Sequence, residues 1–282
     1  MTVYVVTLQC IDRPGIVLAA STAIVAVRGN ILENDQFTDP VTTQFCMRTR
    51  FETDATDLAA VRDQLMAALA PFHPELTIRH ESTRRRALVM VSQYDHCLAE
   101  LLYRRDSGDL PLDVAAVVSN HDTCAALASR HDVPFVQIPV TPDSKASAEH
   151  ELRGLLETWR VDFVILARYM QVLSEGLCAD LAGRAINIHH SFLPGFKGAR
   201  PYHQAYERGV KLIGATAHFV TPELDEGPII EQDVMRVTHA RRPEDLVALG
   251  RDVERSVLAR AAHLLAEDRV ALVGQRTVVF SQ

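Results

Sequence analysis

The stretch ALVMVSQYDHCLAELLYRRDSGDLPLDVAAVVS, residues 87–119, decides the fold of the larger part of the chain. It begins with a continuous apolar run, Ala87–Ser92, which is typical of a strand buried on both faces. A helical segment around Cys97–Tyr103 follows, and a second apolar run occupies Asp113–Ser119. A strand, a helix and another strand in this order predict a βαβ unit and a parallel sheet.

The same alternation continues after this unit. Helices are predicted at Asp122–Arg130, Ala148–Trp159 and Glu175–Leu181, with strands at Pro134–Val140, Asp162–Ala167 and Ala185–Ser191. Two more strands, a long helix from near Pro243 and a closing hairpin around Gly274 complete the pattern. The predicted fold is a Rossmann-like, mostly parallel α/β domain whose ligand crevice lies at the carboxyl ends of the strands.

The first eighty residues follow another pattern. Strands are predicted at Thr2–Leu8, Ile31–Phe37, Thr42–Phe51 and Leu76–Arg79, with a helix after the first strand and another before the last. The order βαββαβ is that of a ferredoxin-like domain. We therefore predict a small domain at residues 1–81, a linker at 82–86 and a catalytic domain at 87–282.

Composition excludes several function classes. The chain has 282 residues, a net charge of −7 and a sequence pI near 5.9, so bulk attraction to nucleic acid or to an anionic membrane is not expected. No apolar run reaches the roughly 20 residues of a membrane span, and no basic leader precedes the first strand. The five cysteines form no C-x-x-C pair, which favours a reducing cytoplasm and argues against a cysteine zinc site.

Three polar side chains suit attack on a carbonyl group. Asn187 and His189 stand two residues apart at a strand end, so both lie on one side of it. Asp225 follows in a loop, within Asp-Glu-Gly-Pro. An amide can stabilise an oxyanion, and an imidazole with a carboxylate can move a proton or activate water. Taken singly, the asparagine could cap a strand, the histidine could be structural and the aspartate could belong to a turn.

The opening strand and the sequence DRPGIV that follows it, residues 12–17, resemble the start of an ACT domain, a module that senses small molecules. This resemblance implies an amino-acid effector near Asp12, Arg13 and Gly15. It also implies a homo-oligomer, dimer or tetramer, built from paired domains. Alternatively, Pro14-Gly15 only makes the turn and the domain only dimerises.

A second resemblance covers the later part of the chain. NIHHSFLP at 187–194, Gly198, HFV at 218–220 and DEGPII at 225–230 are similar to the catalytic core of the folate-dependent formyltransferase family. This resemblance implies that Asn187, His189 and Asp225 are catalytic. ARYMQVLS at 167–174 and PYHQAYERGVK at 201–211 are closer to the hydrolytic members, which implies cleavage of 10-formyltetrahydrofolate to tetrahydrofolate and formate. Such a reaction would supply formate for purine synthesis and balance one-carbon folate pools.

By the same resemblance, the folate pocket has one wall along the segment after the 162–167 strand and another after the 113–119 strand. The residues expected to bind folate are Arg168, Tyr169, Met170, Gln171, Val172, Ser119, Asn120, His121 and Leu224. The resemblance implies no cofactor beyond the folate substrate and no metal. A metal site built from His189, His190 and His203 is an alternative that the spacing does not impose.

The nature of the formyl acceptor is predicted from the loop Ser92–His96. This loop has no glycine and carries Asp95, so it is poorly suited to cradle a phosphate. Water is then the expected acceptor. Lys197 stands where an apolar residue is expected in the hydrolases, whereas the transferases often carry lysine, which weakly favours transfer to a small amine; the alternative, which is the better supported of the two, is that Lys197 is a solvated loop residue. A folate and amino-acid sensor without catalysis is a further alternative.

Overall fold

The computed structural model describes residues 1–195 and 201–280 and divides the chain into two compact units. Unit 1 contains Met1–Arg84 together with Glu267–Gln282, and unit 2 contains Arg85–Ala266. Lys197 and Gly198, both singled out from the sequence, lie outside the described residues.

Unit 1 begins with the elements β1 (Thr2–Ile11), α1 (Ile16–Ala26), β2 (Asn30–Thr38), β3 (Gln44–Thr53), α2 (Leu58–Leu69) and β4 (Glu75–His80). The four strands form one antiparallel sheet in the order β2-β3-β1-β4. This βαββαβ topology is the ferredoxin-like arrangement that the sequence predicts. Tyr4, Phe51, Ile24 and Leu65 form part of a core between the sheet and its two helices.

Local sequence explains how these elements begin. Asp57 caps α2, because its side chain accepts hydrogen bonds from the amides of Ala59 and Ala60 at 2.9 and 3.3 Å. Gly15 precedes α1 with φ of 100°, a left-handed conformation that glycine adopts at little cost. The turn Asp12–Gly15 therefore joins β1 to α1 with its side chains exposed.

The chain's last part belongs to unit 1 in the structure, whereas the sequence analysis assigns it to the catalytic domain. The hairpin β12 (Val270–Val273) and β13 (Arg276–Val279) buries Ala271, Val273 and Phe280 around Cys46 of β3. Apolar periodicity predicts the hairpin itself but carries no information about which core it joins. The predicted catalytic domain should accordingly end near Ala266.

Unit 2 contains the remaining elements. They are β5 (Arg85–Val91), α3 (His96–Ser107), β6 (Leu112–Ser119), α4 (Ala125–Arg130), β7 (Phe135–Gln137), α5 (Lys145–Thr158), β8 (Phe163–Leu166), α6 (Glu175–Asp180), β9 (Ala185–His189), α7 (Pro201–Glu207), β10 (Leu212–Phe219), β11 (Ile229–Arg236) and α8 (Pro243–Ala266). Each predicted strand and helix is present, with ends shifted by a few residues.

The strands of unit 2 form one sheet in the order β11-β10-β9-β8-β5-β6-β7. The five strands β9, β8, β5, β6 and β7 run parallel to one another. At one edge of the sheet, β10 runs antiparallel to both of its neighbours, β9 and β11. β5 neighbours both β8 and β6, so the strand order reverses beside β5. Parallel sheets of this type open a crevice at the carboxyl ends of such strands, and the fold thus confirms the predicted mostly parallel α/β architecture.

Burial follows the apolar pattern of the sequence. Leu88, Met90, Val118 and Leu166 on the central strands are fully or nearly fully buried and share a core with Leu152 of α5. Among the described residues, no helix is long and apolar enough to cross a membrane.

Candidate active site

A cleft of about 470 Å³ opens in unit 2 at the carboxyl ends of β8 and β9. The segment after β8, the loop between β10 and β11, and α8 contribute its walls. All three residues of the predicted catalytic set, Asn187, His189 and Asp225, line this cleft. Residues almost forty positions apart in the sequence are therefore brought together by the pairing of β9 with β10.

The imidazole of His189 and the carboxylate of Asp225 form a buried hydrogen-bonded pair. The distance from His189 Nδ1 to Asp225 Oδ1 is 3.2 Å, and both side chains are less than a tenth exposed. Since the carboxylate only accepts, this contact fixes a hydrogen on Nδ1. The other ring nitrogen, Nε2, is buried and has no hydrogen-bond partner among the described residues. It is therefore available to a ligand in the cleft.

Asn187 is oriented by His218 of β10, a residue that the sequence analysis did not assign to the site. His218 Nδ1 donates to the carbonyl oxygen of Phe219 at 2.8 Å, so the neutral ring accepts at Nε2. Asn187 Nδ2 lies 3.3 Å from that nitrogen and donates one N–H to it. The second N–H of the amide can then donate to a substrate oxygen.

The protonation states of the site follow from its contacts. Burial alone would raise the pKa of Asp225, but the hydrogen bond from His189 and the nearby histidines lower it below its ordinary value. Asp225 is consequently a carboxylate at neutral pH. Burial, followed by the charge of Arg168, lowers the pKa of His190 to about 3, so His190 is neutral. Burial likewise lowers the pKa of His218.

The loop that carries Asp225 has a constrained backbone. Asp225 adopts φ of 58°, a left-handed conformation that aspartate tolerates better than most residues. Gly227 allows close approach to β10, because a Cβ atom at this position would lie 1.7 Å from the carbonyl oxygen of Phe219. The sequence Asp-Glu-Gly-Pro thus contains both the reactive carboxylate and the glycine that lets its loop close.

The predicted folate residues divide into two groups. Arg168, Tyr169, Met170, Gln171, Val172 and Leu224 line the same cleft as the catalytic set. Met170, Val172 and Leu224 are more than half exposed and supply apolar surface there. The positions of these six residues are compatible with the predicted pocket wall. Their role in folate binding stays a prediction.

The structure does not place Ser119, Asn120 and His121 on the lining of this cleft. They instead support the end of β5. Asn120 Oδ1 accepts a hydrogen bond from Ser92 Oγ at 2.7 Å, and Ser92 Oγ accepts one from the amide of Met170 at 3.0 Å. Ser119 Oγ accepts from the amide of His121 at 3.1 Å. This part of the chain is therefore connected to the cleft indirectly, through Ser92 and the segment that begins at Arg168.

A second buried charged group in the cleft was not predicted. Glu254 of α8 is 1% exposed, and its carboxylate accepts hydrogen bonds from His96 Nε2 at 2.8 Å and from Tyr202 Oη at 2.7 Å. Arg168 Nε lies 3.4 Å from the same carboxylate. Burial opposes ionisation, yet the bond from His96 and the charge of Arg168 keep the pKa of Glu254 below its ordinary value.

The alternative metal site is not supported by the geometry. Among the described residues, the group whose ligand atoms converge within 4.8 Å is His96, Cys97 and Glu254, not His189, His190 and His203. His96 and Glu254 already bond each other, and burial raises the pKa of the Cys97 thiol well above its usual range. This donor set is ill suited to a divalent cation, because a neutral thiol is a poor ligand.

The loop between β5 and α3 bears on the acceptor. Asp95 precedes the first residue of α3 and makes no side-chain cap. Tyr94 and His96 both point into the cleft lining, where their rings lie 6.5 Å apart. Two bulky rings occupy the position where a phosphate cradle needs glycine and free amides, while Asp95 is exposed and does not line the cleft. The local geometry agrees with the predicted preference for an acceptor without phosphate.

The chain resembles known proteins over nearly its whole length. A family model described as formyl transferase matches residues 85–262. A formyltetrahydrofolate deformylase from Corynebacterium sp. (strain P-1) is 46% identical over 278 residues, which cover 98% of this chain and 97% of that protein.

Solved structures agree. The formyltetrahydrofolate deformylase of Burkholderia mallei has a TM-score of 0.96 at 49% identity, with each chain fully covered. Glycinamide ribonucleotide transformylase 1 of Symbiobacterium toebii has a TM-score of 0.66 at 32% identity and covers 70% of this chain and 94% of its own. The family match and the full-length likeness together show that this chain belongs to the formyl transferase family and, within it, to the formyltetrahydrofolate deformylases.

Proposed function

We propose that the chain hydrolyses 10-formyltetrahydrofolate to tetrahydrofolate and formate. The observation that carries this proposal is the convergence of the buried His189–Asp225 pair with the oriented amide of Asn187 in one cleft. The family relationship supplies the substrate class. A chain that only sensed folate would not need an amide, an imidazole and a carboxylate in contact, which argues against the sensor alternative.

Each side chain has a role in the proposed reaction. Asn187 and His189 Nε2 donate to the formyl oxygen as it becomes negative, which requires a hydrogen on both nitrogens of His189. Asp225 Oδ1 is engaged by His189, so Oδ2 can accept a proton from the attacking water. The water oxygen bonds to the formyl carbon, the bond from that carbon to N10 breaks, and N10 takes up the proton. Formic acid then ionises to formate.

Transfer to an amine is the second candidate, because unit 2 shares its fold with a transformylase. The Ser92–His96 loop favours water, since it has no glycine and presents the rings of Tyr94 and His96 to the cleft instead of the free amides that hold a phosphate. Lys197, which favours an amine, lies outside the described residues. The two candidates differ in whether formate is released without an acceptor.

The proposal is tested by incubating purified protein with 10-formyltetrahydrofolate in the absence of any amine and measuring formate. We expect formate and tetrahydrofolate in equal amounts. The His189→Ala variant is the control for contaminating hydrolases and should release neither. Protein that stays inert until glycinamide or another amine is added would be a transferase, and the hydrolase proposal would then be abandoned.

We also propose that unit 1 is an ACT-like regulatory domain that binds an amino acid near Asp12, Arg13 and Gly15. The exposed turn before α1 supports this, because amides at a helix start favour a carboxylate. Thermal shifts with a panel of free amino acids test it. If no amino acid changes the melting temperature or the rate of formate release, the regulatory role is excluded.

A homo-oligomer is proposed on a separate observation. β2 is an edge strand of the unit 1 sheet, and it exposes Ile31, Leu32 and Phe37. Exposed edges with apolar side chains favour pairing with another copy. Light scattering of the purified protein should give the mass of a dimer or tetramer, and a Phe37→Glu variant should shift this mass downwards.

Released formate would serve purine synthesis, and the reaction would balance one-carbon folate pools.

A further inference from the structure

Arg168 is a buried cation whose hydrogen-bonding capacity is not met. It follows β8, its side chain is 11% exposed, and its Nε and Nη1 atoms are both buried. Neither atom has a hydrogen-bond partner among the described residues. A charged donor left without a hydrogen bond in a protein interior is destabilising, so these donors indicate a ligand.

Glu254 balances the charge of Arg168 without satisfying its donors. One oxygen of Glu254 accepts from Tyr202, and the other accepts from His96. The remaining contact, at 3.4 Å from Arg168 Nε, is an ion pair and not a hydrogen bond. Glu254 thus neutralises part of the charge of Arg168 but accepts no hydrogen bond from it, and Arg168 Nη1 stays available to a molecule in the cleft.

This side of the cleft has an excess of positive charge. The guanidinium carbons of Arg168 and Arg251 each lie 5.4 Å from the centre of the Tyr94 ring, and all three residues line the cleft. Glu254 is the carboxylate that faces them, while Asp225 is paired with His189. Two guanidinium groups against one carboxylate favour an anion, and a guanidinium suits a carboxylate in particular.

The side chain of His190 connects the region around Arg168 with the predicted catalytic set. The His190 ring centre lies 5.1 Å from that of His189 and 6.1 Å from that of Tyr202. Tyr202 in turn bonds Glu254, which pairs with Arg168. His190 is neutral and so does not compete for an anion. Arg168 and His189 line the same cleft, so a small molecule released at His189 is within reach of Arg168.

We propose that Arg168 forms a subsite for a small carboxylate anion, the formate released by hydrolysis. This inference rests on the proposed function, because formate is the one small anion that the reaction makes in the cleft. The carboxylate of formate accepts from Arg168 Nη1, while tetrahydrofolate still occupies the wall formed by Tyr169–Val172. No bond is made or broken in this step.

The test measures formate binding in the absence of folate. ¹³C-labelled formate is titrated with purified protein, and its NMR line width gives the dissociation constant. We expect saturable binding by the wild type and a weakening of about tenfold or more in Arg168→Gln. The matched control is Arg255→Gln, which removes the same charge from the exposed face of α8, one residue from Glu254, outside the cleft lining. It should change the dissociation constant less than twofold.

Two results would overturn the subsite: formate that does not bind saturably to the wild type, or equal affinity in wild type and Arg168→Gln. If the Gln variant does not fold, Arg168→Lys decides, since it keeps the charge beside Glu254 but loses the planar donor group. That variant should bind formate about threefold more weakly, and unchanged affinity would count against the proposal. Because no turnover is measured, a failure here is separable from a failure of the acceptor-free formate assay.

Discussion

Asp225 occupies a left-handed backbone position, and this limits the replacements that can test its role. Asparagine adopts φ near 58° with little strain, whereas alanine would add a backbone penalty to the loss of the carboxylate. Asp225→Asn therefore removes the charge and the base but keeps the loop. We expect kcat for formate release to fall about 10²–10⁴-fold, the usual contribution of general base catalysis, with folate binding retained.

The neighbouring carboxylate provides the control for this variant. Glu226 is exposed and does not line the cleft, so Glu226→Gln should leave kcat within about twofold of the wild type. Steady-state rates and a folate-binding titration on both variants give the comparison. An Asp225→Asn protein with a near-normal rate would remove Asp225 from the mechanism.

Some residues of the cleft can be predicted from the sequence and others cannot. Asn187, His189 and Asp225 could be predicted because residue type and motif both pointed to them. Glu254 could not, since a glutamate flanked by the charged residues Arg251, Asp252 and Arg255 is typical of the exposed part of a helix. Only the packing of α8 against α3 and α7 turns this glutamate inward, where it meets His96 and Tyr202.

The element that carries Asp225 depends on Gly227. A Cβ atom at position 227 would overlap the Phe219 carbonyl oxygen of β10, and backbone atoms cannot move aside cheaply. Gly227→Ala should therefore lower the free energy of unfolding by about 1–3 kcal/mol. It should also reduce kcat about 10²-fold, because the loop and its carboxylate are displaced.

Gly154 is the matched glycine for this test. It lies inside α5, and a Cβ atom there would meet nothing within 4 Å. Gly154→Ala should raise the free energy of unfolding by about 0.5–1 kcal/mol, since alanine is the better helix former, and should leave kcat unchanged. Chemical denaturation and formate assays on both variants check the pair. Equal behaviour of the two variants would contradict the account of the loop.

At the scale of elements, apolar periodicity predicts the type and order of helices and strands well, but it predicts their first and last residues poorly. The strand predicted at Pro134–Val140 is only Phe135–Gln137 in the sheet, because β7 is an edge strand that pairs with β6 alone over three residues. The helix predicted from Asp122 begins at Ala125. Such ends are set by which neighbours are available for pairing, and the apolar pattern does not contain that information.

For the whole molecule, a charged cluster ties the last residues of the chain into unit 1. Glu33 of β2 accepts from Arg48 of β3 and from Arg269, each at 2.9 Å. Arg48 is 2% exposed and Arg269 7%. Glu33 therefore pairs with two buried guanidinium groups from segments more than two hundred residues apart, and Glu267 also pairs with Arg269 at 2.7 Å.

Glu33→Gln should destabilise unit 1 by about 1–3 kcal/mol, because buried Arg48 loses the carboxylate that it contacts, while Arg269 keeps its ion pair with Glu267. Glu75→Gln, an exposed carboxylate on β4 of the same sheet, is the control and should change stability by less than about 0.5 kcal/mol. Denaturant unfolding followed at pH 7 gives both values. A change as small as the control's would mean that the cluster contributes nothing to stability.

The pH dependence of this contribution has a definite sign. Burial would raise the pKa of Glu33, but the bonds from Arg269 and Arg48 lower it below its usual 4.5. Its stabilising effect is therefore present above about pH 4.5 and is lost as the pH falls through the lowered folded value. The difference between wild type and Glu33→Gln should accordingly shrink on acidification.

The sequence by itself determined the two fold classes and the order of elements, and it singled out Asn187, His189 and Asp225, which the structure brings together in one cleft. It could do so because strand and helix periodicities are local, and because each motif that contains one of these three residues is a short, continuous segment. Tertiary structure decided which core receives the closing hairpin, which residue orients Asn187, and that Ser119–His121 support the cleft from behind. It also decided that Arg168 and Glu254 meet in the cleft that Asn187, His189 and Asp225 line. These outcomes depend on contacts between distant segments, and no local pattern encodes the packing that selects them.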